Sequence, residues 1–321
     1  MDIKSVKRAS LFALMVIGVF ACKKDSDSTT TYKSLSGTLA VGSLPEYVNP
    51  GDEFDFESTG VTLPSTETDQ SIELVFTYKP SDADVKDTTT TFHLTIPEDH
   101  LGEYKLVATA EAKGYYTKSL TLTTTVVSGK SLTGYDKTSL SQFQDARDGR
   151  RYRFMESGGK VWMADNLAYY EKDSEGAYTF GASYAQVKAT DDIFGGFYSW
   201  KDAVTACPEG WRLPSVSEWD ALGESAGDLM VDAKYNGARL WEFWPDVKIT
   251  NRHSFYALPF GYATITDGEY SFTGFNDYAF YWADNGGEPV CKYVFVSSPK
   301  VLTWESPSET DFAAQIRCVR E

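Results

Sequence analysis

The chain has 321 residues, of which 42% are hydrophobic and 15% aromatic. This composition supplies enough apolar surface to offset the entropy of folding, so it excludes a disordered protein, and the length favours two domains over one. Its 46 acidic residues outnumber the 30 basic ones, giving a formal net charge of −16. That balance excludes nucleic acid as a partner, because nucleic acid requires clustered Lys and Arg.

The N-terminus has the pattern of a secretory signal. Basic residues precede the apolar stretch 11–20, which is too short to span a membrane. The stretch ends in VFAC at 19–22, which resembles the bacterial lipobox. The resemblance implies a signal peptide at 1–21 and diacylation of the Cys22 thiol, and such acyl chains would hold the protein at a membrane. The alternative is ordinary secretion, with Cys22 incidental.

The next segment bears on localisation. KKDSD at 23–27 is similar to the short charged signal that directs Bacteroidota lipoproteins to the outer face of the outer membrane. We therefore expect a lipid-anchored, outer-membrane protein exposed on the cell surface. The polar run 22–36, rich in Ser and Thr, is expected to be a solvated tether.

Residues 37–128 have a hydrophobic period of two. Apolar residues alternate with Thr, Glu, Lys and Asp, which is typical of strands with one buried and one solvated face. Turn residues such as Asn49, Pro50 and Gly51 separate the runs. Several short strands at this spacing predict an all-β sandwich of immunoglobulin type. A linker is expected at 129–144.

Residues 145–321 show helical spacing for the first time. Phe197, Trp200, Ala203, Val204 and Cys207 form one apolar face, ended by a proline and a glycine. A second helix is predicted to begin after Ser215, which can form a capping box with the glutamate three residues later. The remainder reads as short aromatic strands, which predicts an α+β class.

Several motifs in this half point to a family. They are DARDG at 145–149, VWMADNL at 161–167, FYSWKDAVTACPEGWRLPSVSEWDAL at 197–222, FYALPFGY at 255–262 and IRCVR at 316–320. In this order they resemble the Fibrobacter succinogenes major paralogous domain. That resemblance implies a C-type-lectin-like fold related to sulfatase-modifying-factor domains, with a disulfide between Cys207 and Cys318. Cys291 is then left as a buried or unpaired thiol.

Catalytic and metal-binding patterns are weak in this sequence. Cys291 and Cys318 are too far apart for the paired catalytic cysteines of formylglycine-generating relatives, and the three histidines form no helical cluster. P-loop, nucleophile-elbow and zinc-protease motifs do not occur. Glu288 and Pro289 partly match a lectin calcium loop, but Val290 lacks the required oxygen. We therefore expect no enzyme activity, no cofactor and no metal site.

Aromatic residues are the remaining candidates for binding. Trp241, Trp244 and Trp304 lie where lectin-like folds place their long variable loop, and exposed rings there would bind a sugar or a protein. The sequence thus predicts a surface-anchored lipoprotein that displays a lectin-like domain to an extracellular glycan or protein. The alternatives are an accessory or tip subunit of a surface filament or envelope complex and, least favoured, an enzyme of the formylglycine-generating type.

Overall fold

The structure, a computed structural model, describes residues 31–57, 59–66, 70–79, 83–87, 91–190 and 193–321. The signal segment and Cys22 lie outside the described residues. None of the helices within these ranges is long and apolar enough to cross a membrane.

The first domain is built from short strands with alternating burial. Its strands are β1 (Lys33–Ser34), β2 (Ser36–Ala40), β3 (Tyr47–Val48), β4 (Glu53–Glu57), β5 (Thr59–Thr62), β6 (Glu73–Lys79), β7 (Ala83–Asp87), β8 (Thr91–Thr95), β9 (Gly102–Glu111), β10 (Tyr115–Tyr116) and β11 (Lys118–Val126). A five-stranded sheet has the order β3-β11-β9-β6-β7, and β2-β5 and β4-β8 form separate pairs. Phe76 of β6 stacks on Phe92 of β8 at 4.1 Å between ring centroids, so the two layers meet in one core. The predicted β-sandwich is confirmed.

The sandwich begins earlier than expected. Lys33 and Ser34 pair in parallel with Tyr115 and Tyr116 of β10, and the side chain of Leu35 is buried in the core. The expected tether over 22–36 is therefore wrong at its end, where the backbone of β1 pairs with β10 and Leu35 packs into the core.

The second domain is also mostly β. Its strands are β12 (Leu132–Thr133), β13 (Ser141–Gln144), β14 (Arg151–Ser157), β15 (Lys160–Met163), β16 (Glu171–Lys172), β17 (Tyr178–Phe180), β18 (Ala182–Ser183), β19 (Gly196–Phe197), β20 (Trp211–Arg212), β21 (Lys234–Tyr235), β22 (Ala238–Arg239), β23 (Phe260–Thr266), β24 (Glu269–Phe275), β25 (Tyr278–Asn285), β26 (Glu288–Phe295), β27 (Leu302–Glu305), β28 (Phe312–Ala313) and β29 (Val319–Arg320). Two sheets dominate, one ordered β13-β14-β15-β29-β20 and one ordered β24-β23-β25-β26-β27 with β28 beside β23.

The helices of this domain are short. They are α1 (Trp200–Ala206), α2 (Val216–Asp220) and α3 (Ala226–Leu229), with 3-10 turns at Gly129–Ser131, Tyr184–Gln186 and Lys188–Thr190. Ser199 caps α1, and Ser215 forms the predicted capping box with Glu218. The α+β assignment overstated the helical content, because the helical spacing was correct but each helix ends after one or two turns.

The expected linker is part of the second domain. Leu132–Thr133 pairs with Lys234–Tyr235, and Ser141–Gln144 pairs with β14. Lys137 between them is 8% exposed. Residues 129–144 therefore form strands and a buried contact rather than a solvated connection, which the alternating polar sequence of this stretch did not reveal.

The two domains contact each other through side chains near this segment. The rings of Tyr47 and Tyr184 lie 6.0 Å apart in an edge-on arrangement. Asn49 donates from Nδ2 to the carbonyl of Val127 at 2.7 Å and to that of Ala189 at 3.3 Å. The first domain is thus packed against the second rather than only tethered to it.

Candidate recognition surface

A disulfide fixes the framework behind the candidate surface. Cys207, which ends α1, is bonded to Cys318, which precedes β29. This is the pair that the family resemblance implied. Trp162 of β15 and Arg212 of β20 both pair with Val319 of β29, so the bridge ties the helix to the middle of a sheet.

A charged cluster holds the start of α2. Arg212 donates to both carboxylate oxygens of Glu218, at 2.8 and 2.6 Å, and Lys160 lies 3.1 Å away. The backbone N–H of Ser215 also donates to this carboxylate. The pKa of Glu218 is lowered to about 2, and the hydrogen bonds from the Arg212 guanidinium make the largest contribution. Arg212, Ser215 and Glu218 of the central motif therefore stabilise the fold.

The second large sheet presents a row of aromatic rings on one face. The hairpin of β25 and β26 turns at Gly286 and Gly287, and its register pairs Phe280 with Tyr293 and Tyr278 with Phe295. Because side chains alternate along a strand, these four rings lie on the same face. Residues 279, 281 and 283 point instead into the larger core.

The rings on this face are stacked and half-exposed. Phe280 and Tyr293 lie 4.5 Å apart with 8° between their planes, and Tyr278 and Phe295 lie 4.6 Å apart at 12°. Tyr278, Tyr293 and Phe295 are half-buried, while Phe280 is buried between its neighbours. Trp304 is 40% exposed. The result is a row of aromatic rings that is only partly open to solvent, because most of these side chains also pack against the second hydrophobic core.

Three further strands extend this surface. Tyr262 of β23 lies 5.1 Å from Phe280, and Trp304 lies 4.8 Å from Phe312, measured between ring centroids. These rings form an aromatic platform, in which only Phe280 and Phe312 are buried: Tyr262, Tyr278, Phe280, Tyr293, Phe295, Trp304 and Phe312. The platform spans β23, β25, β26, β27 and β28.

Polar groups border the platform. Thr273, exposed on β24, pairs with Tyr262, and Thr264 pairs with both Ser271 and Phe312. These hydroxyl side chains therefore share the face of the rings. Desolvation raises the pKa of the Tyr278 and Tyr293 phenols, so both remain protonated hydrogen-bond donors at neutral pH.

The three tryptophans proposed from sequence differ in their surroundings. Trp241 is fully buried, and its Nε1 donates to the carbonyl of Ala257 at 3.2 Å, so its assignment to a binding surface is wrong. Trp244 is 42% exposed beside Phe243, which is 75% exposed, on the segment after β22. Only Trp304 belongs to the platform.

The binding residues predicted from the sequence did not include Tyr262 or Tyr293. For Tyr293 a signal was present in the spacing: aromatic residues occur at 278, 280 and 282 on one side of the Gly286-Gly287 turn and at 293 and 295 on the other. A two-residue turn fixes the register of such a hairpin and hence the shared face.

Cys291 lies on the same sheet face as the platform rings, next to them in the second hydrophobic core. It pairs with Trp282 and Trp304 on the adjacent strands and is fully buried. Burial raises the pKa of the Cys291 thiol well above its ordinary value, so the thiolate is disfavoured. Within the described residues, no group of three or more His, Cys, Asp or Glu side chains is placed to hold a metal ion.

Comparison with known proteins places this domain. Residues 155–320, about half of the chain, match the Fibrobacter succinogenes major domain. The chain belongs to this family. The resemblance drawn from the motifs of 145–321 is thereby confirmed, and both the platform and the disulfide lie within the Fibrobacter succinogenes major domain.

Comparisons with solved structures and with curated proteins do not add to the family assignment. The solution structure of the PKD domain from human KIAA0319 is similar over 36% of this chain and 99% of its own, with 16% identity and a TM-score of 0.22. No curated protein matches the chain.

Proposed function

We propose that the Fibrobacter succinogenes major domain of this protein recognises an extracellular glycan through the aromatic platform. The observation that carries the proposal is a set of packed rings, five of them partly or well exposed, bordered by hydroxyl side chains on one sheet face. Trp and Tyr present a large apolar surface together with a polar group, which suits a ligand that is itself apolar on its ring faces and polar at its edges. Sugars have this character.

The rigidity of the platform supports the same proposal. Its rings are held by cross-strand pairs, and Phe280 packs against Tyr262, Tyr293 and Phe312. Little side-chain entropy remains to be lost when a ligand binds to such a surface, because the rings are already ordered. In this proposal the domain has a C-type-lectin-like fold but binds without calcium and without turnover.

The proposal also includes the location of the protein. A lipid at Cys22 would anchor it to the outer membrane, and the first domain, as an immunoglobulin-like spacer, would carry the recognition domain away from the surface. The lipobox and the charged segment after it support this arrangement. Protease treatment of intact cells tests it, since a cell-surface protein is cleaved while a periplasmic one is protected.

A glycan array followed by titration of the best ligand tests recognition. Trp304→Ala removes the most exposed ring of the platform, and Tyr293→Phe removes only a hydroxyl. We expect Trp304→Ala to weaken binding at least about tenfold, as for an aromatic anchor in a binding hot spot, and Tyr293→Phe to weaken it less. Phe243→Ala is the matched control, because it removes an exposed ring outside the platform.

Three outcomes would contradict glycan recognition by the platform. The first is an array without a ligand, which together with capture of one envelope protein would favour the filament or complex subunit instead. The second is equal loss of affinity in Trp304→Ala and Phe243→Ala. The third is loss of binding in the presence of a chelator, which would contradict binding without calcium.

A further inference from the structure

A basic pocket lies away from the aromatic platform. It has a volume of about 370 Å³, within the range of small-molecule sites, and lies between residues 129–138 and the sheet of β14 and β15. In a chain with an excess of acidic residues, the charged side chains that line it are mostly basic. The basic ones are Lys137, Arg150, Arg151, Arg153 and Arg317, and the acidic ones are Asp136 and Asp165.

Two of the basic groups are buried and fixed in place. Lys137 Nζ donates to Asp165 Oδ1 at 2.8 Å and to the carbonyl of Ala164 at 2.7 Å. Arg317 is 1% exposed and donates from Nη1 to the carbonyl of Phe255 at 2.8 Å. The guanidinium of Arg317 is thus held by neutral oxygen acceptors, and no carboxylate among the described residues is bonded to it.

The carboxylate of Asp165 accepts hydrogen bonds from two basic residues. Asp165 accepts from Lys137, from the backbone N–H of Arg153 at 2.7 Å and, more weakly, from Arg153 Nη1 at 3.5 Å. Burial acts to raise the pKa of Asp165, but Lys137, Arg153 and Arg317 lower it overall. The basic side chains that line the pocket outnumber the acidic ones, and a small anion would balance this excess of positive charge.

Arg153 has an unused donor at this site. Its Nε is buried, yet it has no hydrogen-bond partner among the described residues. A buried N–H without an acceptor is costly, whereas a guanidinium meets an oxyanion with short, charge-assisted hydrogen bonds. The Arg153 side chain as a whole is 37% exposed, so this arginine borders both the pocket and solvent.

We propose that this pocket binds a small oxyanion, a carboxylate, phosphate or sulfate group, with Arg153 donating to it and Lys137 and Arg317 supplying fixed positive charge. The inference goes beyond glycan recognition by the platform, since the pocket uses different strands and a different chemistry. A negative result for glycan recognition would leave this proposal unaffected, and the reverse also holds.

The proposal predicts a pH dependence. Burial lowers the pKa of Lys137 to about 8. Deprotonation removes one cation from the pocket, so oxyanion affinity falls as the pH rises through that value. The groups that face the Lys137 ammonium are Asp165, Arg153, Arg317 and the rings of Tyr135 and Tyr256.

Thermal unfolding and titration calorimetry of the full chain test the site. The probes are phosphate, sulfate and glucuronate, with glucose as the neutral control and sodium chloride at equal ionic strength as the salt control. We expect at least one oxyanion to raise the melting temperature above the salt control. Whichever of the three acts identifies the group as a carboxylate or as a tetrahedral anion.

Matched variants assign the effect to the pocket. Arg153→Gln should weaken oxyanion binding at least about tenfold, the loss for one charge-assisted hydrogen bond. Arg239→Gln removes a surface arginine that pairs with Asp232 outside the pocket and should leave affinity unchanged. If Arg153→Gln does not fold, Arg153→Lys, which keeps the charge but lacks Nε, should still bind more weakly than the unaltered chain.

The proposal is overturned if no oxyanion stabilises the protein beyond the salt control. It is equally overturned if the Arg153 variant binds as tightly as the unaltered chain or as the Arg239→Gln protein. Affinity that does not fall between about pH 7 and pH 9 would remove Lys137 from the site.

Discussion

Loss of the Cys207–Cys318 disulfide should destabilise the second domain by several kcal/mol. The bond joins residues separated by 111 positions. A cross-link that closes a loop of about 100 residues removes up to about 4.7 kcal/mol of unfolded-state chain entropy. Measured losses for native disulfides run from about 2 to 5 kcal/mol, so we expect a decrease in the free energy of unfolding within that range.

The natural fluorescence of the chain isolates this domain. All 8 tryptophans lie between residues 162 and 304, so urea unfolding followed by tryptophan emission reports on the second domain and not on the sandwich. The measurement compares the unaltered chain with Cys207→Ala/Cys318→Ala, each with and without a reductant. Reductant should lower the midpoint of the unaltered chain and leave that of the double variant unchanged.

Cys291→Ala provides the matched control. This thiol is buried and free, so its removal costs packing but not the cross-link. The variant should therefore respond to reductant as strongly as the unaltered chain. If the midpoint of the unaltered chain does not move when the bond is reduced, or if the double variant is as stable as the oxidised protein, the entropic reasoning is refuted.

Other predictions concern single side chains. Glu218→Gln should cost about 1 to 3 kcal/mol at neutral pH, the value of hydrogen bonds to a charged group. Because its pKa is lowered from 4.5 to about 2, the stability from Glu218 is present above pH 4.5 and lost as the pH falls through 2, so the variant should show a weaker acid dependence in urea titrations. Trp241→Ala should cost about 3 to 5 kcal/mol in the same assay because the ring is buried, whereas Phe243→Ala should change stability by less than about 0.5 kcal/mol. Equal losses would contradict the assigned burial. Cys22→Ala should abolish metabolic labelling with a fatty acid, and persistent labelling would contradict the lipobox assignment.

The sequence predicted the parts of the fold that depend on local patterns. Alternation over residues 104–110 indicated a strand with one buried face, and β9 has that face. The capping box at Ser215 could also be predicted from the sequence, since it requires only two residues at a fixed spacing. The disulfide followed from the family resemblance, whose motifs place both cysteines.

The wrong or missing predictions concern contacts between elements that lie far apart in sequence. The burial of Trp241 results from its packing between distant segments and from the carbonyl of Ala257, neither of which has a local pattern. The buried Lys137 was hidden for the same reason, because its partner Asp165 lies 28 residues along the chain. The platform needed the register of a hairpin together with its neighbours β23, β27 and β28.

The position of β29 also constrains how the chain folds. Val319 lies between Trp162 and Arg212, so the sheet closes only when strands 157 residues apart (162 to 319) and 107 residues apart (212 to 319) in sequence meet. Contacts of such high order slow folding, because loop entropy is lost before any pairing is gained. The Cys207–Cys318 bond lies next to β29, so once it has formed it holds β29 near β20 and shortens the loop that must close to complete this sheet.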